Sequence, residues 1–236
     1  AQLFRRYVQD GGTLIADVRP AIYDGHVKPL GAGQLDDVFG IKRTGVGDAQ
    51  IADGTLKAPG AGGKPEPLDL TKVRVDPGVT AAGASSAGTA GSVPLLLTHR
   101  FGKGSAVLLN LAMATFPSLS AQATPESAAV VLRTVLGAAQ VSPALRLDNA
   151  KGERVRNIEV TRWRSGPVQI VSLFRHAGQP EPARLTLPQA MYAYDLKQHK
   201  NLGKQQAFSL TITPYRAVFL ALSPAPLQPA TLQAAG

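Results

Sequence analysis

The polar residues with the most potential for chemistry lie in one short segment near the start of the chain: Asp17, Arg19, Tyr23, Asp24 and His26. Their carboxylate, guanidinium, phenol and imidazole groups could together contact a ligand or another subunit. The simpler interpretation, which we favour, is an Asp–Arg ion pair that orders the loop, because perturbed ionic clusters are often purely structural. The segment is therefore a candidate for substrate or subunit contact, without an assigned reaction.

Other reactive side chains lack the spacing of an active site. Asp36-Asp37 are adjacent, so their carboxylates point in different directions, whereas glycosidases need two carboxylates that face each other. His99, His176 and His199 show no metal-ligand spacing. The chain has no cysteine and no Gly-x-Ser-x-Gly elbow, which also disfavours an active amidotransferase-like hydrolase. We predict no catalytic residue, no metal site and no cofactor in this chain.

The aromatic residues offer a second kind of site. Trp163 is the only tryptophan and lies between Arg162 and Arg164 in a strand-like segment. Its ring could stack on a sugar, although a tryptophan in a core or at its rim is more common. Together with Tyr192 and Tyr194, it forms the candidate stacking platform of a carbohydrate-binding module.

Composition limits the classes of partner. The chain has 236 residues, of which 44% are hydrophobic and 17% charged, values typical of an ordered protein. The net charge of +9 makes nucleic acid a conceivable partner, but the basic residues are scattered and form no binding motif. No apolar segment reaches the length of a membrane span. We therefore expect neither a membrane nor a nucleic acid as a partner.

The first candidate site follows a helix–Gly-Gly–strand unit. Glycines end the helix because they adopt the left-handed cap conformation without steric cost. The apolar segment from Thr13 to Val18 predicts a strand buried on both faces, as in a parallel sheet. Asp17 and Arg19 would then lie at the carboxyl edge of the sheet, where open α/β folds bind ligands. One face of the preceding helix is apolar and consists of Leu3, Phe4, Tyr7 and Val8.

A parallel strand preceded by a single helix lacks the strand that should lead into that helix. We therefore expect this sequence to be truncated at its N-terminus, with any catalytic domain upstream. Farther along, Gln34 to Ile41 reads as a short helix. Pro94 to Arg100 and Ser105 to Leu111 read as a hairpin, and a helix is expected to begin at Thr124-Pro125.

The sequence changes character near Val141-Ser142-Pro143. Before this point, residues 1–142 predict an α/β domain that is incomplete at its N-terminus. After it, short alternating segments predict an antiparallel β-sandwich over residues 143–224. Residues 225–236 are rich in Pro, Ala and Gln, and we expect a flexible tail.

Several of these segments together resemble a known family. They are Tyr7 to Pro20, Tyr23-Asp24, Leu35 to Ile41, Arg100 to Gly104 and Asn110. They are similar to the trimerisation domain of family 42 β-galactosidases and related glycoside hydrolases. The resemblance implies a flavodoxin-like parallel sheet of the class I glutamine amidotransferase type, without amidotransferase chemistry, followed by a small β-domain. It also implies an upstream catalytic barrel and a homo-oligomer such as a trimer.

Two functions from different classes follow. The first is a non-catalytic assembly portion of a β-galactosidase-like glycoside hydrolase, which makes subunit contacts and contributes a wall of the sugar site. The alternative is a carbohydrate-binding module that acts through the β-sandwich. The expected partners are other copies of the chain, the upstream barrel and carbohydrate.

Overall fold

The structure is a computed structural model that describes residues 1–45, 47–59, 65–116 and 125–228. The chain divides into two compact units, Ala1–Ser142 and Pro143–Gly236. The described residues contain two α-helices and sixteen strands, so strands dominate both units. None of the helices described is long and apolar enough to cross a membrane.

The first unit contains two helices and ten strands in the residues described. In chain order these are α1 Gln2–Gln9, β1 Thr13–Asp17, β2 Ile41–Arg43, β3 Gln50–Pro59, β4 Pro65–Val75, β5 Val79–Ala81, β6 Ser85–Ser86, β7 Gly88–Ala90, β8 Val93–Pro94, β9 Leu96–Phe101, β10 Gly104–Leu109 and α2 Pro125–Ala138.

The main sheet of this unit has the order β1-β10-β9-β6. β1 and β10 are parallel, with Thr13 opposite Ser105 and Asp17 opposite Leu109. The other pairs in the sheet are antiparallel, as are those of the smaller sheets β2-β5 and β4-β3-β7-β8. The parallel sheet predicted from the sequence is therefore reduced to one parallel pair. The remaining strands are joined by short connections, which favour antiparallel pairing.

The two helices pack on opposite faces of the main sheet, because side chains alternate along a strand. On β10, Ala106 belongs to a core cluster that includes Val8 of α1. The next residue, Val107, belongs to a second cluster that includes Val131 and Val135 of α2. This arrangement places a helix on each side of the β1·β10 pair.

The predicted burial of β1 is wrong, and the apolar face of α1 is buried only in part. Val8 is fully buried, but Leu3 is 77% exposed, Phe4 51% and Tyr7 53%. On β1, Ile15 is 38% exposed, although the sequence predicts a strand buried on both faces. The reason is that β1 is an edge strand, since among the described residues only β10 pairs with it.

Other local predictions have mixed outcomes. Residues 34–40 form a series of turns, so the predicted helix from Gln34 to Ile41 is wrong. The backbone hydrogen bonds there differ in span and form no helical ladder: Phe39 N–H donates to Leu35 O, whereas Ile41 N–H donates to Asp36 O. The hairpin is confirmed as β9 and β10, and the second helix is confirmed from Pro125. Its predicted cap, Thr124, lies outside the described residues.

The second unit is all-β. Its strands are β11 Arg146–Asn149, β12 Ile158–Ser165, β13 Val168–Arg175, β14 Glu181–Asp195, β15 Lys200–Ile212 and β16 Val218–Ser223. They form one antiparallel sheet with the order β11-β14-β16-β13-β12, and β15 pairs with β14. The antiparallel character is as predicted, although one continuous sheet replaces the two sheets of a sandwich. Part of the predicted tail, residues 229–236, lies outside the described residues.

Candidate functional sites: a buried ionic network and an aromatic sheet face

The first site lies at the carboxyl edge of the parallel pair. Arg19 follows β1, and Asn110 directly follows β10, so the two residues lie at the same edge of the sheet. Asp76 follows β4, Arg43 ends β2, and Asp36 belongs to the turns before β2. We call these five residues the ionic network.

Arg43 is the centre of the ionic network. Its Nη1 donates a hydrogen bond to Asp76 Oδ2, and its Nη2 lies 3.3 Å from Asp36 Oδ1. Arg19 Nε lies 3.3 Å from the same Asp76 oxygen. The Arg43 side chain is fully buried and that of Asp76 is 1% exposed. Two arginines and two aspartates balance in charge, as buried ions require.

Asn110 connects this network to the backbone. Its side-chain oxygen accepts a hydrogen bond from the Asp76 N–H at 3.2 Å, and its Nδ2 donates to Asp76 O at 3.0 Å. Nδ2 also lies within hydrogen-bond distance of Pro94 O, at 3.1 Å. Asp76 Oδ1 accepts from the Gly78 N–H. These bonds fix the turn after β4 and hold the Asp76 carboxylate toward Arg43.

One donor of the network has no polar partner. Arg43 Nε is buried and has no hydrogen-bond partner among the described residues. Arg19 Nε also lacks a well-aligned hydrogen bond, but it keeps its ion-pair contact with Asp76 Oδ2. The unpaired Arg43 donor carries a desolvation cost.

Asp17 and Arg19 do not form the ion pair that the sequence suggested. Arg19 binds Asp76 and donates a hydrogen bond to Gly47 O, whereas the exposed Asp17 forms no ion pair among the described residues. Arg19 also has a φ of 62°, a left-handed conformation that side chains rarely adopt. The ion pair that orders this loop therefore involves Asp76, which the sequence interpretation did not select.

The other three predicted residues form a local turn beyond Arg19. Asp24 Oδ1 accepts hydrogen bonds from the backbone N–H groups of His26, at 2.8 Å, and Lys28, at 2.9 Å. Tyr23 forms an isolated bridge with Pro29, and its side chain is 43% exposed. Asp24 thus shapes the turn, while Tyr23 and His26 present their side chains to solvent.

The sequence contained a signal for one of the missed residues. Asn110 is the polar residue within the apolar segment Ser105 to Leu111, and it is among the residues that carry the family resemblance. Asp76 directly follows β4 in the structure. Arg43 gave no such signal, since it ends a strand that the sequence did not predict. In the part of the chain that the structure describes, no group of three or more His, Cys, Asp or Glu residues could hold a metal ion.

A second ion pair connects α1 to the turns before β2. Arg5 Nη2 lies 2.7 Å from Asp37 Oδ1 and donates to Gln34 O at 2.8 Å. Burial raises the pKa of Asp37, but its hydrogen bond with Arg5 and the Arg5 charge together outweigh this effect. The pKa of Asp37 therefore lies below its ordinary value.

The second site is a row of side chains across the sheet of the second unit. Trp163 on β12 is opposite Ile170 on β13, Ile170 is opposite Ala221 on β16, and Ala221 is opposite Tyr194 on β14. Directly opposed residues share a face of the sheet. Since Val171, the neighbour of Ile170, lies in the core, this row lies on the face away from the core. We call it the aromatic face.

The sequence-selected aromatics differ in availability on this face. Trp163 is 51% exposed. Tyr194 is half-buried, and its hydroxyl accepts a hydrogen bond from the Leu227 N–H at 3.0 Å. Tyr192 lies on the same face, but Lys204 Nζ lies 5.6 Å from its ring centroid and occupies one side of that ring. Trp163 and Tyr194 are thus the two rings best placed to contact a ligand.

Comparison with known proteins identifies relatives at the level of the fold. No protein-family model matches the sequence, and no curated protein matches it. A β-galactosidase from Bacillus circulans sp. alkalophilus is 16% identical, with a TM-score of 0.66 over 94% of this chain and 30% of that chain. A family 42 β-galactosidase from G. stearothermophilus is 14% identical, with a TM-score of 0.62 over 93% and 29% of the two chains.

A different hydrolase shares the same fold. The α-L-fucosidase isoenzyme 2 from Paenibacillus thiaminolyticus is 10% identical, with a TM-score of 0.59 over 95% of this chain and 38% of that chain. These similarities cover nearly the whole chain but only about 30 to 38% of the length of those solved proteins. At such low identity, they show a common fold and not a common activity.

Proposed function

We propose that this chain is a non-catalytic assembly portion of a β-galactosidase-like glycoside hydrolase. Its fold matches more than nine-tenths of the chain to less than a third of each β-galactosidase. A portion of that relative size supports an accessory role within a larger enzyme. The following observations on the first unit support the same role.

The buried carboxylates are unsuited to glycoside hydrolysis. Asp36 and Asp76 share Arg43, and Asp76 also contacts Arg19. A glycosidase requires one carboxylic acid with a raised pKa and a second carboxylate that is free to attack or to activate water. Carboxylates that share a buried guanidinium are occupied by their ion pairs and are not free for either task. The reaction therefore belongs to another part of the enzyme.

The single observation that carries the assembly role is the exposed apolar surface of α1. We call this surface the assembly edge and define it by Leu3, Phe4 and Tyr7. Tyr7 follows Leu3 by four positions and Phe4 by three, so the three side chains are neighbours on the helix, and contiguous exposed apolar side chains mark interaction surfaces. We assign the assembly edge to contact with other subunits of the enzyme.

The turn that carries Tyr23, Asp24 and His26 has a place in the same proposal. It lies beyond the carboxyl edge of the β1·β10 pair, the edge at which open α/β folds bind ligands. Asp24 fixes the turn, and the exposed Tyr23 and His26 are free to face a neighbouring site. In the assembled enzyme, this turn would contribute one wall of the sugar site.

Sedimentation equilibrium of the purified chain tests the assembly edge. We expect the unmodified chain to self-associate and the variant Leu3→Ser/Phe4→Ser/Tyr7→Ser to remain monomeric, because the variant removes the exposed apolar contact. Tyr215→Ser is the matched control, since Tyr215 is 75% exposed but lies in the second unit. A monomeric unmodified chain, or a triple variant that associates normally, would contradict the role of this edge.

An activity assay tests the non-catalytic part of the proposal separately. The purified chain is expected not to hydrolyse a nitrophenyl β-galactoside. The informative comparison is Asp76→Asn, because Asp76 is the most deeply buried carboxylate in the network. Hydrolysis by the unmodified chain that disappears in this variant would show that the chain contains its own catalytic machinery.

A further inference from the structure

The geometry of the aromatic face points to a second, independent activity: we infer that it binds a neutral linear oligosaccharide laid across the strands of the second unit. The row begins at Trp163 and ends at Tyr194, three strand spacings away. At the usual separation of neighbouring strands, this distance is about 14 Å. A single pyranose ring is too short to touch both aromatic rings, whereas an oligosaccharide can contact them together.

The residues between the two rings are smaller than the rings. Ile170 and Ala221 occupy the middle of the row, and Ala221 is 2% exposed. Because solvent hardly reaches Ala221, this part of the row is closed and forms no cleft. A ligand that spans the row would therefore rest on the aromatic rings at its two ends.

Hydroxyl groups flank the exposed ring. Thr161 and Ser165 lie two residues on either side of Trp163 along β12, so their side chains share its face. A sugar combines an apolar C–H face with hydroxyl groups around its edge. The ring of Trp163 can stack on the apolar face of the sugar. The Ser165 hydroxyl can exchange hydrogen bonds with the sugar hydroxyls, and the Thr161 hydroxyl, which donates to Glu159 Oε1 at 3.4 Å, can still accept one.

The other ring is held in position for the same contact. The Tyr194 hydroxyl accepts the Leu227 N–H, and this bond restrains the ring at its tip. A restrained ring loses little conformational freedom when a ligand binds, so more of the contact energy appears as affinity. Tyr192 contributes less, because Lys204 already occupies one side of its ring.

The size of the row favours a saccharide over a protein. At standard spacings it covers roughly 100 Å² of sheet surface, whereas a stable protein–protein interface covers about 800 Å² on each partner. Two aromatic rings and two hydroxyl groups are enough to contact a chain of a few sugar rings. Binding of a second copy of this chain to the same face is the alternative that the experiment must exclude.

Tryptophan fluorescence of the full chain provides a direct test, because Trp163 is the only tryptophan. The probes are galactose, β-1,4-galactotetraose and cellotetraose. The choice of galactose and galactotetraose rests on the proposed function, whereas the choice of cellotetraose does not. We expect a saturable emission change with a tetrasaccharide and an affinity for galactose that is lower by about tenfold or more. Equal affinities for galactose and the tetrasaccharide, or no change with any probe, would overturn the inference.

Variants locate the binding site. Tyr194→Ala should weaken tetrasaccharide binding by about tenfold while leaving the tryptophan signal available. Tyr215→Ala, in the loop between β15 and β16, should leave the affinity unchanged, and circular dichroism verifies that each variant folds. Unchanged affinity in Tyr194→Ala would overturn the inference. A Trp163→Ala variant whose main effect is loss of self-association would replace the saccharide with a second copy.

The two proposals fail in different measurements. Loss of saccharide binding leaves the sedimentation result at the assembly edge untouched, because that edge belongs to the first unit. Binding of cellotetraose without galactotetraose would support an oligosaccharide site on the aromatic face but remove its connection to a galactosidase. A monomeric chain that still binds a tetrasaccharide would contradict the assembly role and leave the oligosaccharide face standing.

Discussion

Charged side chains are usually exposed and aromatic ones usually buried, but the ionic network of the first unit and the aromatic face of the second each show the reverse. Arg43 is charged and completely buried, whereas Trp163 is aromatic and half exposed. The charged group has its partners within the chain, since Asp36 and Asp76 both contact it. The aromatic ring lacks such a cover. The internal partners of Arg43 make it a structural residue, and the exposure of Trp163 is what makes it a candidate for the binding role inferred above.

This contrast predicts where mutations act. Substitution in the ionic network should reduce the free energy of unfolding, because the remaining charges stay buried without a counterion. Substitution on the aromatic face should reduce ligand affinity and leave the fold intact, because an exposed ring contributes little to the core. The predictions below therefore test stability in the first unit and compare stability with binding at Trp163.

The largest expected effect is that of Arg43→Met. It leaves Asp36 without its basic partner and Asp76 with Arg19 alone. Removing one member of a buried ionic group costs about 3 to 5 kcal/mol. Urea denaturation followed by circular dichroism should show this loss in the first unit, while Trp163 fluorescence should report an unchanged transition in the second.

The matched control for this variant is Arg133→Met. Arg133 is an exposed arginine on α2, and its replacement should change the free energy of unfolding by about 0.5 kcal/mol or less. If Arg43→Met were no more destabilising than Arg133→Met, the ionic network would not be the internal support that its geometry indicates. The ionic network and the aromatic face would then no longer differ in their contribution to stability.

A smaller effect is expected for Asn110→Ala. The substitution removes the hydrogen bonds that Asn110 makes with the backbone of Asp76 and Pro94, and it leaves buried polar groups unpaired. The expected cost is about 1 to 3 kcal/mol. Asn201→Ala is the control, since exposed Asn201 accepts only a local bond from Gly203 N–H. Equal losses in both variants would show that the Asn110 bonds do not support the network.

On the other side of the comparison, Trp163→Ala should change the free energy of unfolding by less than about 1 kcal/mol, since half of its surface already contacts solvent. The same variant should lose measurable binding of β-1,4-galactotetraose in a calorimetric titration. A loss of stability as large as that of Arg43→Met would reclassify Trp163 as a structural residue, and the two regions would then no longer differ in kind.

Sequence reasoning succeeded where the signal was local. The turn at Gly102 to Gly104 joins two apolar segments and correctly predicts the β9–β10 hairpin. Pro125 correctly marks the start of α2. The register of the second sheet could not be predicted from local sequence patterns. Trp163 and Tyr194 share a face only because β12 and β14 are connected through β13 and β16.

Two failures have a common physical origin. The sequence predicts a strand buried on both faces at β1, but burial depends on neighbours far along the chain, and β1 has a single partner among the described strands. Likewise, Arg19 pairs with Asp76, which is far along the chain, and not with nearby Asp17 or Asp24. The hydrophobic periodicity of a sequence shows which side chains favour burial. Whether they are buried depends on the tertiary structure.

The smallest expected effect concerns the exposed ion pair of Arg5 and Asp37. Arg5→Gln should lower the free energy of unfolding at neutral pH by less than about 1 kcal/mol, the usual value for a surface pair. The pKa of Asp37 is lowered in the folded state, so its contribution to stability is present above the unfolded pKa of about 3.9.

As the pH falls through the still lower folded pKa, this contribution is lost. The difference in stability between the unmodified chain and Arg5→Gln should therefore shrink toward zero on acidification, and added salt should reduce it at neutral pH. Urea denaturation at several pH values checks both trends. A difference that stays constant at acidic pH would mean that Arg5 acts mainly through Gln34 O, its uncharged partner. The pair would then be a hydrogen-bonded support, closer in kind to Asn110 than to an exposed pair of charges.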